Sequence, residues 1–328
     1  MSAHAAVVKS IEGFVEENLS LLKDVSDSWQ PSDILPDMAA EGWSEKLQSL
    51  REQARNVPDE VLVVLIGNTV TEEALPSYQT MLNRHPGIED DTGTSDNPWA
   101  RWTRGWTAEE NRHGEILNRY LYLSGRVDMR AFEATTQHLI RNGFDPETNN
   151  DPYKGLIYTS FQERATKISH GNTARLANQC GDTTLSSICA LVTGDESRHE
   201  EAYKRFAGKI IEKDPSEGVL AFAQMMKNTV TMPALRMTDG GTADLYGQFA
   251  EVAQRIGVYT IRDYADIIEH LVSCWKILDL SGLTGDVAKA QDYLGGLTQR
   301  YRRLADRAEG KPSKKPKTPF RWIFNRSA

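Results

Sequence analysis

The stretch Glu110-Asn-Arg-His113 places a carboxylate three positions before an imidazole, and Glu196-Ser-Arg-His199 repeats that spacing further along the chain. In an α-helix, residues three positions apart lie on the same face, so the two side chains of each pair can reach one metal site. Both pairs lie in sequence whose apolar residues recur with helical spacing. The repetition therefore predicts two ligand-bearing helices.

A single glutamate precedes each pair on another predicted helix: Glu72 comes before the first pair and Glu163 before the second. Two helices with one Glu each and two with Glu-x-x-His supply the six ligands of a di-iron carboxylate centre. The predicted fold is all-α, with a ferritin-like di-iron four-helix bundle as its core and additional helices around it. The predicted metal ligands are Glu72, Glu110, His113, Glu163, Glu196 and His199.

This ligand set has the charge and the donor atoms that two iron ions require. Four carboxylates balance two Fe(II) ions, so the reduced centre can be buried without a large uncompensated charge. Carboxylate and imidazole ligands suit iron or manganese. Each histidine also needs an acceptor for its second ring N–H, and we expect Asp195 or a carboxylate on a neighbouring helix to provide it.

Helical periodicity extends along most of the chain. A first ligand helix is predicted from Pro58 through Glu72 to a stop near Pro86, and a second from Trp99 to Leu123. Alternating strand pairs are not evident. The remaining predictions are a shorter helix between Gly125 and Gly143, a loop at residues 144–155, a boundary at Gly181 between the two later ligand helices, and outer helices near residues 217–231, 242–256, 260–279 and 284–308.

The composition is that of a soluble intracellular protein. The 328 residues are 39% hydrophobic and 26% charged, with a net charge of -8 that argues against nucleic-acid binding. No apolar stretch approaches the roughly 20 residues needed to span a bilayer, and residues 1–30 lack the pattern of a secretory signal or a transit peptide. Three cysteines without metal-ligand spacing indicate a reducing compartment.

We expect residues 1–310 to form a single helical domain. Residues 311–328 are predicted to be a basic extended segment that packs back on the domain at its end. The side chains expected to dock there are Phe320, Trp322, Ile323 and Phe324.

Thr166 follows Glu163 by about one helical turn, which makes its hydroxyl a candidate relay for O2 or protons beside the metals. The alternative is a purely structural hydrogen bond from that hydroxyl to the carbonyl four residues back. The sequence leaves both interpretations open.

Longer motifs carry a resemblance to a known family, the soluble acyl-carrier-protein desaturases of the plant stearoyl type. The likeness runs nearly collinearly from about residue 29 to residue 325. The matching phrases are Thr71-Glu-Glu-Ala-Leu-Pro76, Trp106-Thr-Ala-Glu-Glu-Asn-Arg-His113, Tyr120-Leu-Tyr-Leu-Ser-Gly-Arg-Val-Asp-Met-Arg130, Ile157-Tyr-Thr-Ser-Phe-Gln-Glu-Arg-Ala-Thr166, Asp195-Glu-Ser-Arg-His199 and Arg255-Ile-Gly-Val-Tyr259.

The resemblance implies an enzyme that uses O2 and electrons from ferredoxin to introduce a cis double bond into an acyl chain carried on acyl carrier protein. It implies two Fe(2+) per subunit, one held by Glu72, Glu110 and His113 and the other by Glu163, Glu196 and His199, with some carboxylates bridging. It also implies a homodimer, located in the cytoplasm of a bacterium or in the plastid stroma if the protein is a processed plant or algal one.

The same resemblance implies an apolar substrate channel past the metals. Where the plant enzymes have a small polar and then an apolar residue near its closed end, this chain has Arg84-His85. Either the channel is shortened or redirected, with an acyl chain shorter than stearoyl, or both side chains point outward. The positions that match the channel are Met81, Arg84, His85, Pro146, Thr148, Gly155 and Leu156.

Two further departures concern the channel entrance, where Thr229 and Gly247 replace a basic and an acidic residue of the plant enzymes. Regiochemistry therefore does not follow from the resemblance. Because acyl carrier protein is acidic, docking is expected at a basic patch drawn from Arg302, Arg303, Arg307 and residues 311–317. For residues 311–317 the alternative is a solvated tail.

Two other functions use the same ligands. A ferritin-like ferroxidase or iron-binding protein would need no organic substrate. A di-iron acyl hydroxylase would share the first hydrogen abstraction with a desaturase and differ only in its product.

Overall fold

A computed structural model describes residues 2–309 and 317–328 of the chain. The described part is almost entirely helical, as predicted, and contains fourteen α-helices. In chain order these are α1 (Ala3–Lys9), α2 (Glu12–Asn18), α3 (Pro31–Ile34), α4 (Trp43–Arg55), α5 (Asp59–Glu73), α6 (Leu75–Leu82), α7 (Pro98–Ser124), α8 (Met129–Asn142), α9 (Pro152–Gln179), α10 (Thr183–Lys213), α11 (Pro215–Lys227), α12 (Leu245–Ile256), α13 (Ile261–Cys274) and α14 (Gly285–Glu309).

The four predicted ligand helices are α5, α7, α9 and α10, and they pack against one another in a bundle. The longest of them begin with residues that suit a helix start. Asn97, Asp151 and Asp182 each accept a backbone N–H of the first turn through the side chain, and the first residue of α7 and of α9 is a proline. These starts fix the register of the ligand-bearing faces.

Helix α5 is buried on every side, which explains its uninterrupted apolar run. Residues 61–66 are all at most 4% exposed. Such a helix lies at the centre of a fold instead of presenting one face to solvent. The apolar run was therefore correctly assigned to a helix, although six apolar residues could equally have formed a buried strand.

The predicted boundaries differ from the structure where prolines begin new helices. The first ligand helix ends at Glu73, and α6 starts at Leu75 with Pro76 in its first turn, so the helix breaks at Ala74, two residues after Glu72. Helix α9 starts at Pro152, inside the predicted loop at residues 144–155. Helices α11 and α13 end earlier than predicted, at Lys227 and Cys274.

The end of the chain packs on α5 and α8. Strand β1 (Pro319–Phe320) pairs antiparallel with β2 (Arg326–Ser327) across a short turn. Phe320, Trp322 and Ile323 are buried, whereas Phe324, expected to dock with them, is 55% exposed. Of the predicted basic segment, residues 311–316 lie outside the described part of the chain.

No helix in the described ranges combines the length and the apolar character that crossing a membrane would need.

Candidate metal centre

The structure brings the six predicted ligands together inside the bundle. Their donor atoms form two groups, each with all of its ligand atoms within 4.8 Å of one another. Glu110 and Glu196 belong to both groups, so their carboxylates lie where bridging ligands would be. The first group adds Glu72 and His113, and the second adds Glu163 and His199. All six side chains are buried, at most 7% exposed.

The Nδ1 atoms of both histidines face the carboxylates. His113 Nδ1 lies 3.3 Å from Glu110 Oε2 and 3.4 Å from Glu196 Oε1. His199 Nδ1 lies 2.7 Å from Glu110 Oε1 and 3.6 Å from Glu163 Oε2. One nitrogen of each ring is thus directed at the centre of the cluster.

The atoms that point into the cluster lack hydrogen-bond partners among the described residues. They are one oxygen each of Glu110, Glu163 and Glu196 and the Nδ1 of both histidines. Buried polar atoms are rarely left unpaired, since each costs about 1–3 kcal/mol. Metal ions would satisfy all of them at once, so the side chains present fit a di-iron pair.

The outward nitrogen of each histidine meets a carboxylate from the opposite helix. His113 Nε2 of α7 lies 3.4 Å from Asp195 Oδ2 of α10, in agreement with the predicted acceptor. His199 Nε2 of α10 lies 2.9 Å from Glu109 Oε2 of α7. The sequence analysis missed Glu109, although it directly precedes Glu110 as Asp195 precedes Glu196.

Two arginines tie these outer carboxylates into a network. Arg198 Nη2 donates to Glu109 at 2.8 Å and to Asp195 at 2.5 Å. Arg112 Nη2 donates to Asp195, and its guanidinium lies 4.9 Å from the centre of the Trp29 ring. The Trp29 indole N–H also donates to Asp195, at 3.0 Å. The network holds both imidazoles in fixed orientations.

The two single glutamates have partners of their own. Trp106 Nε1 donates to Glu163 Oε1 at 3.0 Å. His170 Nε2 lies 2.8 Å from Glu72 Oε1, and this histidine is 1% exposed. Sequence analysis missed His170, although it follows Glu163 by two helical turns and therefore lies on the same face of α9.

The contacts of Thr166 agree with both of its predicted roles, the relay beside the metals and the structural hydrogen bond to the helix backbone. Its hydroxyl lies 3.0 Å from the carbonyl oxygen of Gln162, four residues back, and 2.8 Å from Glu196 Oε2. A hydroxyl carries one proton, so it donates to one of these acceptors at a time. The residue can therefore exchange a hydrogen bond between the helix backbone and a predicted ligand.

Burial and mutual charge shift the pKa values within the cluster. Burial raises the pKa of Glu72 and of Glu163. Burial also acts to raise the pKa of Glu110, but the closely placed imidazoles of His113 and His199 lower it overall. The pKa values of His113 and His199 are raised, because charges and hydrogen bonds of nearby carboxylates outweigh burial. Metal ions would have to displace protons from these groups.

A mostly apolar cavity of about 280 Å³, the outer cavity, leads from the surface to the cluster. Its wall includes Phe249, Pro233 and Tyr264, its deep end includes Glu72 and His170, and exposed Thr229 and partly exposed Tyr301 lie at its rim. A smaller cavity of about 60 Å³, which we call the inner cavity, adjoins the outer cavity. The two share Thr71, Glu72, Gln162, Thr166 and Pro233 in their linings.

The inner cavity ends near Met81, the one predicted channel residue in its lining. His85 lies behind it, 1% exposed, with Nε2 3.2 Å from Met81 Sδ. A Cβ placed on Gly155 would lie 2.2 Å from His85 Nε2, so the imidazole occupies the space above that glycine. Burial lowers the pKa of His85, which keeps the ring neutral.

The other predicted channel positions do not line either described cavity. Arg84 is exposed, so of the Arg84-His85 pair only the histidine points inward. The buried residues that line neither the outer nor the inner cavity are Pro146, Thr148, Gly155 and Leu156. Gly247 lies in the first turn of α12, where its N–H is accepted by the Asp244 side chain.

The helical bundle and its buried cluster of four carboxylates and two histidines define a protein of the ferritin-like di-iron class. Residues 3–324 match the family described as fatty acid desaturase, and the chain belongs to that family.

Curated relatives are similar over nearly the whole chain. Identity is 57% over 321 residues to "Stearoyl-[acyl-carrier-protein] 9-desaturase, chloroplastic" of Brassica napus, covering 98% of this chain and 81% of that protein. The figures are the same for "Acyl-[acyl-carrier-protein] desaturase, chloroplastic" of Cucumis sativus. Among solved structures, the putative acyl-ACP desaturase DesA2 of Mycobacterium tuberculosis shares the fold, with a TM-score of 0.53 and 20% identity over 83% of this chain and 95% of that one.

Proposed function

We propose that this protein is an acyl-[acyl-carrier-protein] desaturase that uses O2 to introduce a cis double bond into a saturated acyl chain. The observation that carries this proposal is the apolar outer cavity, which reaches the buried carboxylate–histidine cluster and continues past it. The names of the relatives that are 57% identical to this chain support the same activity.

The six clustered side chains would hold two Fe(2+) ions per subunit. Glu72 and His113 would serve one ion, Glu163 and His199 the other, and Glu110 and Glu196 both, in keeping with the two donor groups. The iron pair, when reduced, supplies the O2 activation that removal of hydrogen from an unactivated methylene requires.

The protein's own groups would orient the centre and manage protons. Asp195 and Glu109 hold the two imidazoles so that Nδ1 of each faces inward. Thr166 lies in the linings of both cavities with its hydroxyl against Glu196, which suits a relay for a proton or for O2. The surrounding apolar wall would exclude bulk water from the reacting carbons.

The acyl chain would enter at the rim near Thr229 and Tyr301 and end in the inner cavity. Because His85 fills the space behind Met81, we infer a channel that is shorter than one with a small residue there. The preferred acyl chain would then be shorter than stearoyl. A neutral histidine can close an apolar end without leaving a buried charge.

The remaining partners follow from the proposed activity. Desaturation consumes electrons as well as O2, and ferredoxin is the proposed donor. A homodimer is proposed from the resemblance to the desaturase family. A plastid stroma location is proposed by analogy with the relatives named as chloroplastic, and the cytoplasm of a bacterium is the alternative.

A hydroxylase or a ferroxidase would use the same ligands. The apolar cavity favours an organic substrate over iron storage, because an iron-storage centre has no need of a channel for an acyl chain. Desaturation and hydroxylation can be distinguished only by their products.

The test combines iron loading with product analysis. Iron-loaded protein, reduced by ferredoxin and its reductase, is given palmitoyl- or stearoyl-carrier protein and O2, and the products are analysed by mass spectrometry after derivatisation at the double bond. An alkene at one position is expected. A hydroxy acid would favour the hydroxylase, and O2 consumption without a modified chain, across a range of acyl substrates, would favour the ferroxidase.

Variants of the predicted bridging ligands sharpen that test. Glu110→Ala and Glu196→Ala are each expected to lower activity by roughly a hundredfold or more while the protein stays helical. Removing a metal ligand should reduce activity more than removing a residue that only hydrogen-bonds a ligand. Glu115→Ala, on the surface of the same helix α7, is the control and should keep full activity. Activity retained by both ligand variants would contradict the proposed site.

A further inference from the structure

The side chain of His4 joins the first helix, α1, to the start of α9. His4 Nδ1 lies 3.0 Å from Asp151 Oδ1, and the imidazole stacks on the Tyr153 ring with 4.0 Å between the ring centres. An ionised carboxylate can only accept hydrogen bonds, so Nδ1 is the nitrogen that carries a proton. The other ring nitrogen, Nε2, lies 3.5 Å from Glu217 Oε2 of α11. We call His4, Asp151 and Tyr153 the His4 clip.

The clip fixes the end of a loop whose backbone is strained. Glu147, Asn149 and Asn150 have φ angles of 60°, 52° and 58°, in the left-handed region. For residues other than glycine this conformation costs free energy and persists only where surrounding contacts hold it. Asp151 supplies such contacts, because its N–H donates to the Thr148 carbonyl at 3.0 Å while its carboxylate meets His4.

His85 lies beside the same loop. Its ring is 1% exposed and occupies the space that Gly155 leaves by having no side chain. Burial lowers the pKa of His85, and the Asn150 backbone and the Asp151 carboxylate oppose that shift, as groups close to the ring do. Asp151 therefore stands between the two histidines: it binds His4 directly and lies near His85.

Helix α1 also supports the turn that follows His85. A Cβ on Gly87, whose φ is +93°, would lie 2.9 Å from the Ala5 carbonyl oxygen and 3.3 Å from Val8 Cγ1. Val8 is fully buried, and its carbonyl accepts the Trp99 indole N–H at 3.1 Å. The turn after His85 and the loop before α9 thus both rest on α1.

We propose that His4 is a positioning residue that holds His85 behind Met81 through Asp151 and so fixes the length of acyl chain that the inner cavity accepts. The proposal rests on the function proposed above. His4 lines neither the outer nor the inner cavity and is not one of the clustered ligands, so it can act on the substrate only through the groups that it holds. Without the clip, the His85 ring would gain a second position and leave room for a longer chain.

The test begins with single variants of His4. His4→Ala is expected to shift the kcat/KM ratio toward stearoyl over palmitoyl about fourfold, the effect of room for roughly one more methylene. His4→Asn, whose amide can still donate to Asp151, should keep the wild-type ratio. His138→Ala on α8, which lines neither cavity, is the matched control and should also keep it.

The double variant His4→Ala, His85→Ala distinguishes action through His85 from a general loosening of the protein. Substitutions that act through the same group are not additive. The double variant should therefore show the same ratio as His85→Ala alone. An equal further shift in the double variant would overturn the proposal, as would a His4→Ala ratio equal to that of the wild type.

A measurement without substrate separates this proposal from the proposed function. Protein labelled with 13C at its methionine methyl groups gives an NMR signal for Met81, whose sulfur lies 3.2 Å from His85 Nε2, and Met81→Leu assigns that signal. The signal should move in His4→Ala and keep its position in His4→Asn and His138→Ala. A signal that stays in place in His4→Ala would refute the clip, whereas absence of turnover by the wild type would count against the desaturase function alone.

Discussion

At the level of single residues, the acid that precedes the glutamate of each Glu-x-x-His pair is as informative as the pair itself. Asp195 on α10 meets His113 on α7, and Glu109 on α7 meets His199 on α10. The exchange is reciprocal, so each ligand helix orients the imidazole of the other. This arrangement explains why the two motifs are alike beyond their ligands.

We predict that Asp195→Asn and Glu109→Gln each lower Fe(II) affinity or activity by about 10–100-fold, because the amide keeps the shape but loses the charge that holds the imidazole. Metal titration and steady-state kinetics would measure the effect. Glu115→Gln, a half-buried acid at the surface of α7, is the matched control. If both variants behaved like that control, Asp195 and Glu109 would have no role in orienting the imidazoles.

His85 is predicted to set the length of the acyl chain. His85→Ala removes the ring behind Met81 and should shift the kcat/KM ratio toward stearoyl over palmitoyl by roughly tenfold, the effect of burying two more methylenes. A ladder of acyl-carrier substrates measures the shift. Arg84→Ala, next to it but exposed, should leave the ratio unchanged. A wild-type preference for stearoyl would refute the inference that the channel is short.

At the level of helices, close approach between α5 and α12 shapes the cavity wall. A Cβ on Gly67 of α5 would lie 2.2 Å from the ring of Phe249, which lines the outer cavity from α12. Glycine is therefore required there for packing. The contact links a helix that carries a predicted ligand to one that lines the outer cavity.

Gly67→Ala is predicted to turn Phe249 into the outer cavity. The expected result is a lower kcat/KM for the acyl-carrier substrate and a free energy of unfolding lower by about 1–3 kcal/mol, as in other overpacked cores. Gly13→Ala in α2, where a Cβ would meet no atom within 4 Å, is the control. It should stabilise the helix by about 0.5–1 kcal/mol and leave activity unchanged.

At the level of the whole molecule, the end of the chain joins elements that are far apart in sequence. Asp59 at the start of α5 accepts from Arg326 at 2.8 Å and from Arg126 at 2.9 Å. Trp322 donates its indole N–H to Thr135 of α8 at 2.9 Å. The C-terminal segment thus holds α5 and α8 together.

The hydrogen bond from Arg326 lowers the pKa of Asp59, although burial opposes this. A lowered pKa means that the stabilisation is present above the unfolded pKa of about 3.9 and is lost as pH falls through the lower folded value. Asp59→Asn should therefore lower the free energy of unfolding by about 0.5–1 kcal/mol at pH 7, a small effect because the ion pair is partly exposed. The effect should become progressively smaller below pH 4.

Urea denaturation between pH 3 and pH 7 would measure the difference in unfolding free energy between the wild type and Asp59→Asn. Asp91→Asn, in an exposed loop with no described ion pair, is the control and should show little change at either pH. A difference for Asp59→Asn that stays constant with pH would contradict the assigned ion pair.

The sequence by itself predicted the helical class and picked out the six side chains that cluster inside the bundle. Ligands three positions apart must share a helix face, and apolar periodicity marks the helices that carry them. Both are local properties of the chain, and the structure places all six predicted side chains in one cluster. Helix boundaries near Pro76 and Pro152 were less predictable, because a proline ends one helix and also begins the next.

Only the tertiary structure decided which residues from distant segments meet. Glu109 and His170 became part of the centre because α7 packs beside α10 and α9 packs beside α5, relations that spacing along the chain does not encode. The inward turn of His85 depends on the room that Gly155 leaves by having no side chain, while Arg84 stays exposed. Side-chain direction at the end of a helix is fixed by what packs against it, and that information is not local.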